Sequence, residues 1–532
     1  MQLDLEQRTI PKLLARASEQ WADRPFIDTL EEAATYGQVA DRARRIASYL
    51  IRELKVKRGE HVAMFMLNSV DFVATWFGIT MAGATAVPVN TAFKGELLRY
   101  VLADCEARVL VVDQASLAEI SAVGDALPAL QHVIVRSGGT EPATGNWTFH
   151  RLRDLATAAD TADLPDVAPR DVANILYSSG TTGPAKGIML PHAHAISFGV
   201  QWINVMRMTS DDVIYSPMPL FYMFASLLGV MPTLLLGTRF HLGQRFSASA
   251  YWDEIRRTGA TLGHTIFSLI PILLKQPESP RDRKHNCRAV YIGKTNVEFE
   301  ERFGARIVEI YGSTEMNIVT YNPWEAHKPG SCGKAAPNFE VQVVDEDDSP
   351  LPPNELGELV ARPREPLTIS YGYYKKAEAT AAAWRNLWFH CGDRGYMDED
   401  GYFYYVDRSK DVIRRRGENI SSYEVERQVN AHPAVLESAA IAVGSEFGED
   451  EVKVCVVLRA AGSMSEAQLL TDLASTMPTF MLPRYLEFVD ELPKTTSSMK
   501  IEKYKLQANG INAATWDRAA NAYALQPVRS ES

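Results

Sequence analysis

The first half of the chain alternates short apolar runs with amphipathic stretches, and this alternation constrains the fold more than any other feature. The run HVAMFMLN (residues 61–68) predicts a strand, DFVATWFGITMAG (residues 71–83) a helix, and ATAVPVN and ARVLVVD (residues 107–113) two further strands. Strands that alternate with helices are typical of parallel α/β layers. We therefore predict an α/β fold with a large N-terminal domain of layered, mostly parallel sheets and helices.

A chain of 532 residues is too long for one hydrophobic core, and its character changes beyond Asp407. The basic stretch RSKDVIRRRGEN precedes two strand-like runs (residues 438–444 and 451–460) and a helical stretch (residues 465–476). These elements predict a small α+β domain. We place the N-terminal domain at residues 1–409 and the C-terminal domain at residues 410–532.

Composition and charge exclude several functional classes. Apolar residues make up 46% of the chain and charged residues 23%, which is the balance of a globular protein. Lys and Arg number 55 against 66 Asp and Glu, and the net charge of −11 disfavours a broad basic surface for nucleic acid. The longest apolar run, residues 224–237, is shorter than the roughly 18 to 20 residues of a membrane span. We predict no nucleic-acid partner and no transmembrane segment.

The cysteine spacing and the first residues indicate the cellular compartment of the protein. Five cysteines are scattered without a CxxC pair or a spacing that suits zinc. The first residues, MQLDLEQRTI, lack the basic start and the long apolar core of a secretory signal. We predict a cytoplasmic protein, and a homodimer is left open.

The stretch ILYSSGTTGPAKGIMLPH (residues 175–192) is the most informative about function, because an apolar strand leads directly into a loop of small and hydroxyl residues. Glycines let a backbone approach a ligand closely, and hydroxyls and a lysine suit phosphate oxygens. A surface turn is the alternative, but the preceding strand and the following lysine favour phosphate. The loop is not a Walker A motif, because Ala185 precedes the lysine. The residues concerned are Ser178, Ser179, Gly180, Thr181, Thr182, Gly183, Lys186 and Gly187.

The sequence YSSGTTGPAKG resembles the signature loop of the adenylate-forming superfamily, which includes acyl-CoA synthetases, aryl-CoA ligases, luciferases and the adenylation domains of peptide synthetases. Further motifs follow in the family's order along nearly the whole chain. The resemblance implies an N-terminal domain that binds ATP and an acid, and a mobile C-terminal domain that rotates between two half-reactions.

The segments EIYGSTE (residues 309–315) and WFHCGD (residues 388–393) resemble two nucleotide motifs of the family. The resemblance implies that Tyr311 packs on adenine, Thr314 meets the α-phosphate, and Glu315 with Thr182 holds Mg²⁺. One carboxylate beside a phosphate suits Mg²⁺, which prefers few carboxylates plus phosphate oxygens. Asp393 would bind the ribose hydroxyls, whose protons a carboxylate accepts.

The segment YVDRSKDVIRRRGENIS (residues 405–421) resembles the hinge of the family. The resemblance implies that Arg408 also contacts the ribose and that Lys410 is the hinge residue, since a short loop can absorb such a motion. Gly417 would leave room for the pantetheine arm of CoA, although a simple turn glycine is the alternative. Arg416 and Asn419 would contact CoA or the adenylate.

The segment LPKTTSSMKIEKYKL (residues 492–506) resembles the loop that carries the catalytic lysine, and Lys500 is the predicted residue. Its ammonium group could bridge the substrate carboxylate and the α-phosphate as pyrophosphate leaves. The segment departs from the family pattern, because Met499 replaces a glycine and residues 494–500 contain one extra residue. Lys503 and Lys505 remain open on composition alone, but the pattern Ile-x-Lys-x-x-Leu favours Lys500.

Several residues are candidates for the acid pocket, whose side chains would accept an aliphatic or an aryl body. Tyr222 either lines the acyl channel or is a core aromatic. Cys391 stands where a threonine is usual, and its thiol is a weaker hydrogen-bond partner. We interpret His192, His194 and His390 as structural. The candidates are Tyr222, Met223, Phe267, Gly293, Gly312 and Met316, with Gly293 also a weaker candidate for contact with adenine.

The function that these motifs imply is an ATP-dependent acid–CoA ligase, using ATP, Mg²⁺ and coenzyme A. A carboxylic acid would become an acyl-AMP, and the thiol of CoA would then displace AMP. The alternatives are an adenylating enzyme that passes its acyl group to a carrier protein or another acceptor, and a non-catalytic nucleotide-binding regulator. The segments RRRGENIS and TWDRAANAY are similar to those of bacterial carnitine/crotonobetaine and medium-chain ligases. The acid itself, whether aliphatic, aryl or quaternary-ammonium, stays open.

Overall fold

The computed structural model describes residues 3–136, 147–159, 162–178, 184–266, 269–291, 295–408, 412–446, 448–460, 462–493 and 501–521. The chain divides into two compact units. The larger unit comprises Met1–Thr91, Arg99–Tyr177 and Gly187–Asp407, and the smaller unit comprises Ala92–Leu98, Ser178–Lys186 and Arg408–Ser532.

The described α-helices are, in chain order, α1 (Ile10–Trp21), α2 (Tyr36–Arg52), α3 (Val70–Met81), α4 (Gly95–Asp104), α5 (Leu117–Val123), α6 (Leu152–Ala156), α7 (His192–Met206), α8 (Met223–Ala225), α9 (Met231–Leu236), α10 (Tyr251–Thr258), α11 (Leu269–Leu274), α12 (Val297–Phe303), α13 (Ala377–Ala383), α14 (Ser422–Asn430), α15 (Glu466–Thr476) and α16 (Lys503–Asn509).

The first described strands are β1 (Pro25–Asp28), β2 (Ala33–Thr35), β3 (His61–Phe65), β4 (Thr85–Pro88), β5 (Val109–Asp113), β6 (His132–Arg136), β7 (Thr148–Arg151), β8 (Val172–Ser178), β9 (Lys186–Pro191), β10 (Val213–Ser216), β11 (Arg239–Leu242), β12 (Leu262–His264), β13 (Ala289–Tyr291) and β14 (Arg306–Val308). The later ones are β15 (Ile310–Ser313), β16 (Asn317–Tyr321), β17 (Lys334–Ala335), β18 (Phe339–Val344), β19 (Gly357–Pro363), β20 (Trp384–Arg385), β21 (Trp388–Met397), β22 (Phe403–Arg408), β23 (Val412–Arg415), β24 (Glu418–Ser421), β25 (Val435–Gly444), β26 (Asp450–Leu458), β27 (Tyr485–Phe488) and β28 (Trp516–Asp517).

Two seven-stranded sheets form the larger unit, with the strand orders β14-β13-β12-β10-β11-β1-β2 and β7-β6-β5-β3-β4-β8-β9. In the first sheet every pair is parallel except β1 with β2. In the second, the five pairs from β7 to β8 are parallel. The prediction of layered, mostly parallel sheets is confirmed, and β3, α3, β4 and β5 lie where the apolar alternation placed them.

One large core cluster joins both sheets to helices α1, α2, α3, α7 and α9. Helix α3 is buried on all sides except at Asp71, and Ser69 caps it by accepting from the Phe72 amide. A helix that is apolar on every face belongs in the interior, which explains its place in the core. Helix α7 is also almost entirely buried, and it carries the polar side chains of His194 and Ser197 into the interior.

An antiparallel sheet (β18, β19, β20, β21 and β22) and a three-stranded sheet (β15, β16 and β17) complete the larger unit. The apolar run of residues 224–237 forms most of α8, a π-helical turn (Ser226–Val230) and α9, all packed in the interior. Within the described ranges, no helix is both long and apolar enough to cross a bilayer.

The smaller unit contains the hairpin β23–β24 and the sheet β25-β26-β27-β28. Two core clusters pack this sheet, one with residues of α14 and α15 and the other with Leu506 of α16. The predicted C-terminal strands and helix are observed as β25, β26 and α15. Lys410, the predicted hinge, lies outside the described residues.

Candidate functional site

The hairpin β15–β16 carries the EIYGSTE segment, and its turn presents Thr314 and Glu315. Ser313 pairs with Asn317 across the turn, and Ser313 Oγ accepts from the Met316 amide at 3.3 Å. Asn317 has a φ of 78°, the left-handed conformation that closes a three-residue hairpin loop and that asparagine tolerates. The local sequence therefore suits a tight turn at the end of a strand.

Gly312 is required by close packing rather than by its dihedral angles. A Cβ atom at this position would lie 2.0 Å from the Asn317 carbonyl oxygen, so no other residue fits without moving β16. We predicted Gly312 to be a pocket residue, and the structure exposes it on the hairpin. Met316, another predicted pocket residue, is buried instead in a core cluster with Val319 and Phe389.

Tyr311 and Asp393 come together from two different sheets. The Tyr311 hydroxyl donates to Asp393 Oδ2 at 2.7 Å and lies 2.9 Å from Cys391 Sγ. Burial, together with Cys391 and Asp393, raises the pKa of Tyr311 well above its usual range, so the phenol stays protonated as a donor. Gly392, with a φ of 75°, donates its amide to Glu358 and thereby fixes the backbone beside Asp393. The thiol of Cys391, which stands where a threonine is usual, donates a hydrogen bond to the Leu359 carbonyl.

Thr314 and Glu315 are held by residues that are distant in sequence. The Thr314 hydroxyl donates to Met223 Sδ at 3.3 Å. Glu315 Oε1 accepts from the Tyr373 hydroxyl at 3.1 Å, and the Glu315 carbonyl accepts from the Ser370 amide at 2.9 Å. Tyr373 belongs to residues 371–380 (YGYYKKAEAT), and nothing in the spacing of this segment predicts that it reaches Glu315.

The segment with Tyr373 also pairs with β9, the strand that follows the glycine-rich loop. The Tyr374 amide donates to the Gly187 carbonyl at 2.7 Å, and the Met189 amide donates to the Gly372 carbonyl at 3.0 Å. A Cβ on Gly187 would lie 2.7 Å from Ile175 Cγ2, so this glycine permits close packing against β8. The backbone that leaves the loop is thus connected to the carboxylate of Glu315.

Ser178 ends β8 and Lys186 begins β9, as expected for residues that flank a phosphate loop. Arg408 ends β22, and nothing further is described for its side chain. The remaining predicted loop, pocket, hinge and catalytic residues lie outside the described ranges: Ser179, Gly180, Thr181, Thr182, Gly183, Phe267, Gly293, Lys410 and Lys500.

Tyr222 is half-buried, and its side chain makes a hydrogen bond and a ring contact. Its hydroxyl accepts from Asn90 Nδ2 at 3.2 Å, and its ring lies 4.6 Å from that of Phe221. Tyr222 directly precedes α8, so Tyr222 and Met223 lie next to each other at the Thr314 turn.

The hairpin β23–β24 of the smaller unit presents Arg416 and Gly417. Arg415 pairs with Glu418, so the turn has two residues, and both have positive φ (52° and 80°). The Gly417 amide donates to Glu449 Oε2 at 3.1 Å. The positive φ agrees with the interpretation of Gly417 as a turn glycine. Its predicted role in CoA binding stays a prediction.

Two neighbours of the hairpin turn are fixed by the same unit. Arg415 is buried, donates to the carbonyls of Phe480 and Leu482 at 2.9 Å each, and lies 2.6 Å from Glu451. Burial lowers the pKa of Arg415 to about 10. Asn419 pairs with Arg414 in the hairpin.

The larger unit therefore combines a hydroxyl–carboxylate turn with a tyrosine–aspartate pair, and the strands β8 and β9 flank the phosphate-type sequence. This combination is typical of an enzyme that binds a nucleotide and acts at its phosphates. Residues 14–374 match the family of AMP-binding enzymes, and residues 424–498 match the C-terminal domain of AMP-binding enzymes. The chain belongs to the AMP-binding enzyme family.

Similar proteins agree with this assignment. The crotonobetaine/carnitine–CoA ligase of Salmonella typhimurium is 31% identical over 491 residues, which are 88% of this chain and 92% of that protein. The solved anthranilate CoA ligase AuaEII, in complex with anthranoyl-AMP, is 27% identical with a TM-score of 0.71 and covers 95% of this chain and 98% of its own. The o-succinylbenzoate CoA synthetase of Bacillus subtilis is 22% identical with a TM-score of 0.80, covers 93% of this chain and 98% of its own, and shows the same fold. The family match, the Salmonella ligase and AuaEII support ligation of an acid to CoA through an acyl-AMP.

Proposed function

We propose that this protein is an ATP-dependent acid–CoA ligase with two half-reactions. In the first, a carboxylate oxygen attacks the α-phosphorus of ATP and pyrophosphate leaves. In the second, the sulfur of the CoA thiolate attacks the acyl carbon and AMP leaves. The observation that carries the proposal is the Tyr311–Asp393 pair beside the Thr314–Glu315 turn, because one unit then holds a carboxylate suited to ribose hydroxyls and a hydroxyl suited to phosphate.

The nucleotide would contact groups from four segments. Asp393 is nearly buried and can accept from ribose hydroxyls while Tyr311 holds its other side. Thr314 can donate to the α-phosphate. The glycine-rich loop, from Ser178 to Lys186, would surround the remaining phosphates with Ser179, Gly180, Thr181, Thr182 and Gly183. Arg408 would contact the ribose from the end of β22.

Glu315 fits a magnesium ion that is bound mainly by the nucleotide. Its carboxylate is half-buried and is oriented by the Tyr373 hydroxyl. No cluster of three or more His, Cys, Asp or Glu side chains suited to a metal occurs among the residues that the structure describes. Mg²⁺ usually takes one or two carboxylates plus phosphate oxygens, so Glu315 with Thr182 is sufficient. When bound, the metal would neutralise charge on the departing pyrophosphate.

Lys500 is the proposed catalytic lysine. The two alternative lysines, Lys503 and Lys505, each form an ion pair with a glutamate. Lys503 Nζ donates to Ser422 Oγ at 2.7 Å and lies 2.8 Å from Glu426, and Lys505 lies 2.5 Å from Glu502. A lysine paired with a carboxylate is less available to bridge a substrate carboxylate and a phosphate. These pairs support the choice that the sequence pattern favours.

We further propose that Lys410 is the hinge between residues 1–409 and 410–532. The division of the chain into compact units between Asp407 and Arg408 supports a joint in this segment. Rotation of the small domain would withdraw Lys500 and bring Arg416, Gly417 and Asn419 to the thiol. The hairpin of the smaller unit is suited to this, because Arg415 and Glu449 anchor it.

The substrate is proposed to be a small carboxylic acid, and a quaternary-ammonium acid is the first candidate. The crotonobetaine/carnitine–CoA ligases support this choice through their similarity over most of the chain. Two half-buried aromatic rings support it physically, because the centroids of the Tyr291 and Phe224 rings lie 5.5 Å apart. Aromatic faces attract quaternary ammonium groups. Tyr222 and Met223 would line the path to the acyl-phosphate.

The test measures acid-dependent release of pyrophosphate, followed by CoA-dependent release of AMP. The panel contains carnitine, crotonobetaine, medium-chain fatty acids and aryl acids, and the Lys500→Ala variant is run beside the wild type. We expect turnover with a quaternary-ammonium acid and a loss of at least about a hundredfold in the variant. ATP binding without turnover for any acid would favour a nucleotide-binding regulator. Adenylation without thioester formation would favour transfer to a carrier protein.

A further inference from the structure

The His194 side chain lies between two segments of the candidate site, the Thr314 turn and the segment of Thr368. Its place in the sequence suggests only a core residue. The side chain projects from α7 and is fully buried. Its Nε2 atom lies 3.0 Å from the Thr314 carbonyl oxygen, and its Nδ1 atom lies 2.8 Å from the Thr368 carbonyl oxygen. Both partners are backbone groups more than one hundred residues away.

The two carbonyl partners compete for a single proton. Carbonyl oxygens only accept hydrogen bonds, and a neutral imidazole carries one N–H group. Burial lowers the pKa of His194 to about 4, so the ring is neutral near pH 7. The ring therefore donates either to Thr314 or to Thr368, depending on which nitrogen carries the proton.

Ser197, on the same face of α7 as His194, contacts the residue that follows the Thr314–Met316 turn. Ser197 Oγ accepts from Asn317 Nδ2 at 2.7 Å, and Asn317 closes the turn that begins at Thr314. The segment that contains Thr368 continues to Ser370, whose amide donates to the Glu315 carbonyl. His194 thus lies where α7, the turn and the 368–370 segment meet.

We propose that His194 is a positioning residue for adenylation, which donates from Nε2 to the Thr314 carbonyl and so fixes the Thr314 hydroxyl and the Glu315 carboxylate. This inference rests on the proposed function, which gives Thr314 and Glu315 their roles. A hydrogen bond to the backbone of the turn restrains both side chains at once. Small displacements of reacting groups reduce rates strongly, so loss of this restraint should lower kcat.

Two amide variants separate the two contacts. In His194→Gln the amide N–H lies near the original Nε2 position and can still donate to Thr314, whereas in His194→Asn it lies near the Nδ1 position and can donate only to Thr368. We expect His194→Gln to keep kcat for pyrophosphate release within about threefold of wild type and His194→Asn to lose about tenfold or more. The Kd for ATP should change less than kcat in both variants, because the restraint acts on the reacting geometry.

His192 supplies the matched control. It is a buried histidine of the same helix, and its Nδ1 accepts from the Ile10 amide at 3.2 Å, away from the turn. His192→Asn should lower the midpoint of thermal unfolding and leave kcat unchanged. Equal kcat for His194→Gln and His194→Asn, whether both high or both low, would overturn the inference alone. Absence of acid-dependent turnover in the wild type would overturn the proposed function, and the inference with it.

Discussion

The two hairpin turns with proposed roles in the reaction are built in different ways. The Thr314–Met316 turn of the larger unit is held by groups from α7, from α8 and from residues 370–373. The Arg416–Gly417 turn of the smaller unit is a two-residue loop in which the Gly417 amide contacts Glu449, while Arg415 before the turn donates to the Phe480 and Leu482 carbonyls. The first turn is contacted directly by several distant side chains, whereas the conformation of the second is set mainly by two positive φ angles.

This difference suits the two proposed tasks. Adenylation needs a hydroxyl and a carboxylate held in fixed positions against a phosphate, and several distant contacts provide that rigidity. Passage of a flexible pantetheine arm needs a narrow backbone with little side-chain bulk, which a turn with a glycine provides. Substitutions should therefore affect the first turn through its distant supports and the second through its own dihedral angles.

The largest expected effect follows from removing Glu309, which supports the base of the first hairpin. Its buried carboxylate accepts from the Thr295 and Gly330 amides and from Asn322, and it lies 3.2 Å from His327 Nε2. Glu309→Ala removes the acceptor of the Thr295 amide and one of the acceptors of Asn322, and it should lower the free energy of unfolding by about 3–5 kcal/mol. Urea denaturation measures this loss.

The exposed Glu355 is the control for this substitution. Glu355→Ala should change the free energy of unfolding by no more than about 0.5 kcal/mol. If Glu309→Ala were as stable as Glu355→Ala, the first hairpin would not depend on this distant support.

A pair of glycine substitutions tests the same contrast with a smaller effect. Gly312→Ala places a Cβ 2.0 Å from the Asn317 carbonyl and should destabilise the protein by about 1–3 kcal/mol while lowering the rate of adenylation. Gly417→Ala meets a positive φ and should cost about 1 kcal/mol without affecting adenylation. The measurements are urea denaturation and acid-dependent pyrophosphate release. Equal adenylation rates in the two variants would contradict the contrast.

Secondary-structure elements and short motifs could be predicted, because each is encoded in a contiguous stretch of sequence. The apolar alternation identifies β3, α3, β4 and β5, and the later texture identifies β25, β26 and α15, because burial on both faces leaves a continuous apolar run. The short motifs indicate Tyr311, Thr314, Glu315 and Asp393, since these residues lie in contiguous stretches of recognisable composition. The fold class and the main nucleotide candidates could therefore be predicted.

Contacts between distant segments could not be predicted in this way. His194 reaches Thr314 across 120 residues and Tyr373 reaches Glu315 across 58, and neither spacing carries a local signal. Met316 was predicted as a pocket residue from the motif alone, and its packing with Val319 and Phe389 is visible only in the folded chain. Gly187 was predicted to let the backbone approach a ligand, whereas its tight packing against Ile175 is visible only when β8 and β9 lie side by side.

Arg416→Gly should separate function from stability in the second turn. Arg416 adopts a φ of 52°, a conformation that strains a residue with a side chain and that glycine adopts freely. Relief of this strain should leave the variant as stable as the wild type or more stable by up to about 0.5 kcal/mol, because the larger unfolded-state entropy of glycine offsets part of the gain. Loss of the cation should raise the KM for CoA by about tenfold while adenylation continues at its normal rate. An unchanged KM for CoA would remove Arg416 from the proposed CoA contact.

The smallest effect concerns a turn of the same two-residue type that has no proposed role. Asn386 and Leu387 connect β20 to β21, both have positive φ, and Leu387 is 80% exposed. Leu387→Gly should raise the free energy of unfolding by about 0.5 kcal/mol, because relief of strain outweighs the entropy of glycine, and it should leave both half-reactions unchanged. Leu356, an exposed leucine whose φ is not positive, is the control, and Leu356→Gly should lower stability slightly. If Leu387→Gly were the less stable of the two, strain at positive φ would not limit the stability of these two-residue turns.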